Sequence, residues 1–429
     1  MASAVKEAPA WIENFRKKSF DAFKKLPPEE SRLFAKYDNC FIDFEKFKPD
    51  LSEHPIPGDL QKQENCFVQS GANAFTGRTE DLESKGVIFT DVITASIQHR
   101  DKLEKLFSRG WKNKFEAFND AFFANGVFIY VPKGVQIETP FRKISIDNGA
   151  NTSSKDIIIG GDGSRFSFIE ESYSVKEDES LVTGVSDVLL GRGCEIMFGS
   201  LQNLGRSVIS AGMKRCFCGP DSRISWNTGL FGGKLVRSRV ESNMDSAGCV
   251  VEDNEVVSGV GDQKFDAMSG LNHVAESTSA VTRMNAVLKD SSQAVIKGMI
   301  NIGKNAKNSR SYLAEHAMLL GKGAKADAIP GLEIENNDVK ATHSASVAKV
   351  GEDQMFYLMS RGLDEENSKK LMTNGFLESV IRHMPLPQFR SMVRAAINAG
   401  PAGILPEYYE KGDENAGEVD LFGGHYKYR

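Results

Sequence analysis

From Gly126 to about Val350 the chain runs through about 220 residues with no helical period. Short runs rich in β-branched and aromatic residues alternate there with small turn residues, beginning with GVFIYVPKGVQIETPF at 126–141. A loose motif recurs, one or two small turn residues followed by a strand. It reads GDGSRFSFIE at 161–170, GRGCEIMFGS at 191–200, GPDSRISWN at 219–227, DSAGCVVED at 245–253, KDSSQAVIKGMI at 289–300 and GKGAKADAI at 321–329. These anchors lie about 25 to 45 residues apart, too irregular for a hexapeptide code and consistent with stacked coils of unequal length. Without intervening helices a βαβ architecture is disfavoured. The expected fold is a right-handed parallel β-helix (a β-solenoid) over 126–350, with a large β-sandwich as the alternative.

Helical regions flank it. Residues 1–125 open with an amphipathic helix near Pro9 carrying Trp11, Phe15 and Phe20 on one side, and Pro27-Pro28-Glu29-Glu30 suits the start of another. A strand and a helix follow in KGVIFTDVITASIQHRDKLEKLFSRG, with Thr90 or Asp91 as cap, and then a helix from Lys112 to Ala124 stopped by Asn125-Gly126. In the C-terminal region, 351–429, one helix ends at Gly362, a second at Asn374-Gly375, a third before Pro385, and a last one spans QFRSMVRAAINAG. A solenoid exposes strand edges at its ends, and these helices are expected to cover them. The tail from Pro401 is polar and glycine-rich.

Composition excludes several function classes. Lys and Arg number 53 against 58 Asp and Glu, a net charge of −5, which argues against nucleic acid as a partner. No run of apolar residues is long enough to span a membrane, and the N-terminus lacks the apolar core of a secretory signal. Six cysteines in 429 residues are too few for a disulfide framework and fit a reducing, cytoplasmic location. There is no GxxxxGK[ST] loop; Gly160-Gly161-Asp162-Gly163 and Gly232-Gly233 do not open helices and read as turns. Cys216 and Cys218 form a C-x-C on one face of a strand, without the second pair that a metal site would need, and read as core thiols, as do Cys40, Cys66, Cys194 and Cys249. Of seven histidines, His273, His316 and His343 fall in the strand region, and no HExxH, HxH or GxSxG occurs. Residue chemistry alone therefore gives a β-solenoid with helical flanks and no active site.

Longer segments carry a resemblance. LLGKGAKADAIPGLEIENNDVKATHSASVAKVGEDQMFYLMSRGL at 319–363, KGVIFTDVITA at 85–95 and KFEAFNDAFFANGVFIYVPKGVQIETP at 114–140 are similar to the SufB/SufD family of iron–sulfur cluster assembly scaffolds. GGKLVRSRVES at 232–242 and IPGLEIENNDVKATHS at 329–344 resemble its SufD branch; where SufB carries a cysteine, this chain has Gly323-Ala324-Lys325-Ala326-Asp327, and where SufB has a His-Glu pair it has His343-Ser344. The resemblance implies a non-catalytic scaffold subunit. It would pair through its β-helix with a SufB-like paralogue or a second copy, bind a SufC-type ATPase, and receive sulfur indirectly from a cysteine desulfurase. It implies a transient Fe-S cluster shared with the partner, with His343 as candidate ligand facing the partner's cysteine. Phe356, Tyr357, Arg361 and Gly362 are candidate ATPase-binding residues, set against an ordinary role as helix core and cap, with docking extending over Leu371 to Ile397. His316 stands where the family has an Asn-rich segment. Other readings are an adaptor without a metal site and a cytosolic β-helix enzyme, a lyase or an acyltransferase.

Overall fold

The computed structural model describes residues 8–27, 41–77 and 80–399. Between Cys66 and Lys349 the chain winds into a parallel β-solenoid of about 8 turns. Ten strands form one sheet and nine the other, and neighbours within a sheet are alternate strands in sequence. Pairing is parallel from coil to coil, which excludes the sandwich; antiparallel pairs occur only at the N-terminal end.

The coil length is read from one corner of the solenoid, where equivalent side chains touch. Ser164 meets Cys194 30 residues on, Ser222 meets Cys249 27 residues on, and Thr278 meets Ser309 31 residues on. The wide gap between the sequence anchors at 245 and 289 hides a coil whose turn has no glycine. Ser277 takes the left-handed conformation there itself (φ 59°), and Asn308 does the same one coil later (φ 57°). Gly163 and Gly193, with φ of 64° and 62°, serve turns between strands as expected.

Side chains alternate between lumen and exterior. One lumen column stacks Phe141, Phe168, Phe198 and Trp226, with ring centroids 5.0 Å apart for Phe168–Phe198 and 4.9 Å for Phe198–Trp226. The same register position is then taken by Asp253, Thr282, Leu313 and His343. The column two residues further along each strand runs Lys143, Glu170, Ser200, Thr228, Glu255, Met284, Glu315 and Ala345. Lys143 is neutralised by Asp156 at 2.6 Å, and Lys214 reaches Ser200 at 2.9 Å. Asp253 and Glu255 are fully buried, and burial pushes Asp253 up to about 6. Glu255 is raised too, by burial and then by the Asp253 charge, so the two carboxyl groups oppose each other's ionisation.

Helices cover the outer faces. Ala10–Lys25 and Lys114–Phe122 lie on the nine-stranded sheet, where Phe23, Phe115 and Phe118 pack on Leu181, Val185, Ala211 and Met213. Trp11 and Phe15 meet Phe107, but Phe20 lies half a turn around from Trp11 and packs on Phe122, not on their side. Of the two expected caps it is Asp91 that caps Val92–Gln98, through the Thr94 amide, and the one helix expected there is two, the second being Arg100–Phe107. The helix opened by Pro27-Pro28 falls, from residue 28, outside the described residues, as do Cys40 and the tail from Pro401. Behind Lys114–Phe122 lies a buried charge network. Arg215 bonds Glu116 at 2.6 Å and Asp187 at 2.8 Å, while Lys155 contacts Asp187 at 2.9 Å and Asp120 at 3.0 Å. Burial alone would raise Asp187, but Lys155 and Arg215 hold it down at about 2.

In the C-terminal region Glu352–Ser360, Glu365–Ile381 and Pro387–Ala399 are helical. The stop expected at Asn374-Gly375 does not occur, because Leu377, Val380 and Ile381 continue the buried stripe beyond it. Tertiary burial outweighs the roughly 1 kcal/mol that a mid-helix glycine costs.

Two outcomes follow. Arg215→Ala strands Asp187 and Glu116 without their shared cation and is expected to cost about 3–5 kcal/mol in urea unfolding, whereas a loss below about 1 kcal/mol would mean the network is dispensable. The Asp253–Glu255 pair binds a proton in the folded state that the unfolded chain has released above about pH 4, so its contribution to stability falls as pH rises through 6. Glu255→Gln is expected to flatten that decline by about 1–3 kcal/mol between pH 5 and 8, and parallel declines in both proteins would exclude the pair as its source.

Candidate functional site

The two ends of the solenoid are finished differently. At the N-terminal end Cys66–Ser70 and Asn73–Gly77 form an antiparallel pair, and Ile88–Asp91 runs antiparallel to Val127–Val131. Leu82, Val87 and Phe89 plug the lumen there. At the other end Lys325–Ile334 and Val339–Lys349 are the last strands of their sheets, each paired on one side only. No residue of either is buried. None of the described helices provides the cover expected for this end. The two long C-terminal helices lie instead along the outer face of the ten-stranded sheet, where Leu201, Phe231, Val256 and Val287 match their apolar stripe. Phe389 presses so closely on Gly199 that a Cβ there would fall 2.7 Å from its ring.

His343 stands on this open coil, opposite Leu313 in register. Leu313 belongs to the lumen core, so His343 is on the lumen side, and it is exposed because no described strand lies over it. Its neighbour Ser344 is on the outer face, within 3.2 Å of the Tyr312 hydroxyl. His316 is also on the outer face, with Nδ1 2.8 Å from Ser346 Oγ. His273 is structural: buried between Thr278 and Ser311 at 2.7 and 3.1 Å, it is pushed down to about 4 by burial. One coil beneath the opening lies a residue the sequence did not single out. Glu315 is 0% exposed, neither carboxylate oxygen has a hydrogen-bond partner of full geometry, and burial raises it to about 8.

The cysteines behave as core thiols. Cys216 and Cys218 are buried with their sulfurs 3.6 Å apart, and burial pushes Cys66 up to about 12 and Cys194 to about 11. Among the described residues no group of three or more His, Cys, Asp or Glu converges to hold a metal ion.

Glu352–Ser360 buries none of its residues. Phe356 and Tyr357 are 74% and 57% exposed, so they are not helix core as their apolar character would have it. Arg361 and Gly362 do form the cap: the guanidinium lies over the Tyr357 ring at 5.2 Å, and Gly362 takes φ 95°.

The described residues thus form a parallel solenoid capped at one end, with the terminal strands of the other end and the helix Glu352–Ser360 left uncovered. Residues 144–376, more than half of the chain, match the family model described as "SUF system FeS cluster assembly, SufBD core domain". The chain belongs to the SufBD family. It is 28% identical over 411 residues to the iron-sulfur cluster assembly protein SufD of Bacillus subtilis, covering 91% of this chain and 94% of that protein, and it is SufD-like. It is also 27% identical over 414 residues to an iron-sulfur cluster assembly SufBD family protein of Staphylococcus saprophyticus (90% of this chain, 88% of that one), and 26% identical over 414 residues to one of Staphylococcus aureus. No described helix is long and apolar enough to cross a membrane.

Because Phe356 and Tyr357 contribute nothing to this chain's own core, replacing both with Ser is expected to shift its unfolding free energy by no more than about 0.5 kcal/mol. A loss of about 2 kcal/mol or more would mean the helix packs within the chain in solution.

Proposed function

We propose that the chain is a subunit of a Suf iron–sulfur cluster assembly scaffold in the cytosol. A second solenoid, a SufB-like chain or another copy of this one, docks on its open end, and a SufC-type ATPase binds its C-terminal helices. The observation that carries this reading is the pair of uncovered terminal strands: unpaired strand edges with half-exposed inner faces call for another chain. His343 sits at the mouth of the lumen, where an imidazole can ligate iron while the partner supplies thiolate. The described cysteines of this chain are all buried, which supports a partner as the thiolate source. Phe356, Tyr357, Arg361 and Gly362 form the bare helix and cap beside the longer helices, a surface suited to ATPase docking. On this reading the chain is non-catalytic, ATP is hydrolysed in the partner, and the cluster is transient cargo whose sulfur reaches the complex indirectly from a cysteine desulfurase.

Anaerobic affinity capture of the tagged chain from its native cytosol is expected to recover a SufC-type ATPase and a cysteine-bearing SufB-like chain, with iron and acid-labile sulfide. Recovery of the chain alone would overturn the reading. His343→Ala is expected to keep the partners and lower iron and sulfide several-fold; an undiminished content would leave an adaptor without a metal ligand.

A further inference from the structure

Glu315 has no structural reason to be charged. Its strand neighbours in the lumen are Leu313 and Ala317, the residue beneath it is Met284, and a leucine or methionine would fill the place without the cost of burying a carboxyl group. Several buried carboxylates elsewhere in the solenoid are answered: Asp156 by Lys143, Asp187 by Lys155 and Arg215, and Asp253 by the Ser269 hydroxyl, while Glu255 beside Asp253 is, like Glu315, buried with neither oxygen bonded. Glu315 has no ion pair among the described residues, and its one polar contact, the Ile329 amide, falls short of full hydrogen-bond geometry. Such an orphan calls for an explanation.

Its surroundings point toward the open end. The residue over it, on the terminal coil, is Ala345, which leaves space above the carboxyl group. Across the lumen lies Gly298, where a Cβ would come within 2.8 Å of Glu315 Oε1, so the side chain extends across the lumen to the opposite sheet. The backbone amide that favours its charge belongs to Ile329, which is itself on the terminal coil. The Glu315 carboxyl group thus lies across the lumen between Gly298 and Ile329 of the opposite sheet, one of them on the terminal coil. His343 pairs with Leu313 and Ala345 with Glu315, which makes His343 and Glu315 diagonal neighbours on one face, about 7–8 Å apart at the backbone and within reach of long side chains.

We propose that Glu315 and His343 together form a half-site for one divalent transition-metal ion at the mouth of the lumen, completed by donors from the chain that docks there. The proposal rests on the reading of the open end as an assembly surface and adds to it a second ligand from this chain. One imidazole nitrogen and one carboxylate oxygen suit ferrous iron and its borderline neighbours. Two donors also agree with the absence of any described group of three.

The test is an anaerobic titration of the full chain with cobalt(II) alone, followed by its visible absorption bands, for wild type, Glu315→Gln, Glu315→Met, His343→Asn and the Glu315→Gln/His343→Asn double variant. Wild type is expected to bind one cobalt(II). Each single variant is expected to bind at least tenfold more weakly, and the double variant more weakly than either single. Both Glu315 variants lose a buried acid, so their melting temperatures are expected to hold or rise, which separates lost ligation from lost folding. Cobalt(II) affinity within twofold of wild type in the Glu315 variants, with His343→Asn alone abolishing binding, would overturn the role of Glu315 while sparing that of His343. No cobalt(II) binding by wild type would overturn both ligand roles, and capture of a partner at the open end would then still stand as docking without this half-site.

Discussion

Every strand of the solenoid bonds its backbone to the coil before it and the coil after it, so the interior needs no further partner while each end has an unsatisfied edge. The rest of the structure depends on how those edges are handled. The N-terminal end is closed by reversing direction: antiparallel strands stop the ladder, and Leu82, Val87 and Phe89 seal the lumen. At the other end no described residue after the last strand crosses it. The helices that could have done so meet a better surface on the flank, where outward-facing Leu201, Phe231, Val256 and Val287 await an apolar stripe. Burying that stripe on the flank leaves the terminal coil bare.

The lumen changes character along its axis, and the change is what gives the open end chemistry. Near the closed end an aromatic stack fills the column that begins at Phe141, and inward lysines are neutralised by inward carboxylates. Past Trp226 the same column turns polar, and the acids outnumber the cations that face them. Asp253 takes the Ser269 hydroxyl, and burial with mutual repulsion raises both it and Glu255. Glu315, nearer the open end, has no second acid beside it in its column. A purely structural solenoid would be more stable with apolar residues at these positions, since a buried charge repays its desolvation only when it is well paired. The polarity of the last coils is therefore a cost carried toward the end where another chain can dock.

Much of the architecture was legible in the sequence because the solenoid writes its period into it. The loss of helical spacing at Gly126, the small-residue turns and the alternation of each strand specified stacked parallel coils, and Asp91 announced its cap. What misled was local. The coil turned by Ser277 escaped notice because a non-glycine residue adopts the left-handed conformation there, and Asn374-Gly375 reads as a stop although packing carries the helix through it. The apolar residues of Glu352–Ser360 cannot be assigned to a core or a surface from spacing alone, since the sequence does not reveal which face has a neighbour. The site was the least legible part. His343 was found through resemblance to a family, not through its surroundings. Glu315 was invisible, because what distinguishes it is the residues beside and across from it, Ala345 and Gly298, which only the coil register brings near.

An exposed edge invites indiscriminate pairing, and the two terminal strands resist it unequally. Lys325–Ile334 contains Pro330, which has no amide to offer a ladder and is compatible with an edge strand only. Val339–Lys349 contains no proline; it bears Lys340 and Lys349 toward its ends, with small or polar residues around His343. Continuous β-pairing with an arbitrary strand is thus hindered on one sheet by a missing donor and on the other by charge. A partner must match both edges at once, closing one sheet across Val339–Lys349 while accommodating the proline on the other. Only a chain ending in a coil of similar breadth meets that condition, which favours another solenoid over an isolated extended peptide. Docking of that kind places the partner's last coil directly over the lumen, above His343 and the space left by Ala345, so the requirement that protects the edge also delivers the partner's side chains to the one place where this chain presents an imidazole and an unpaired acid together.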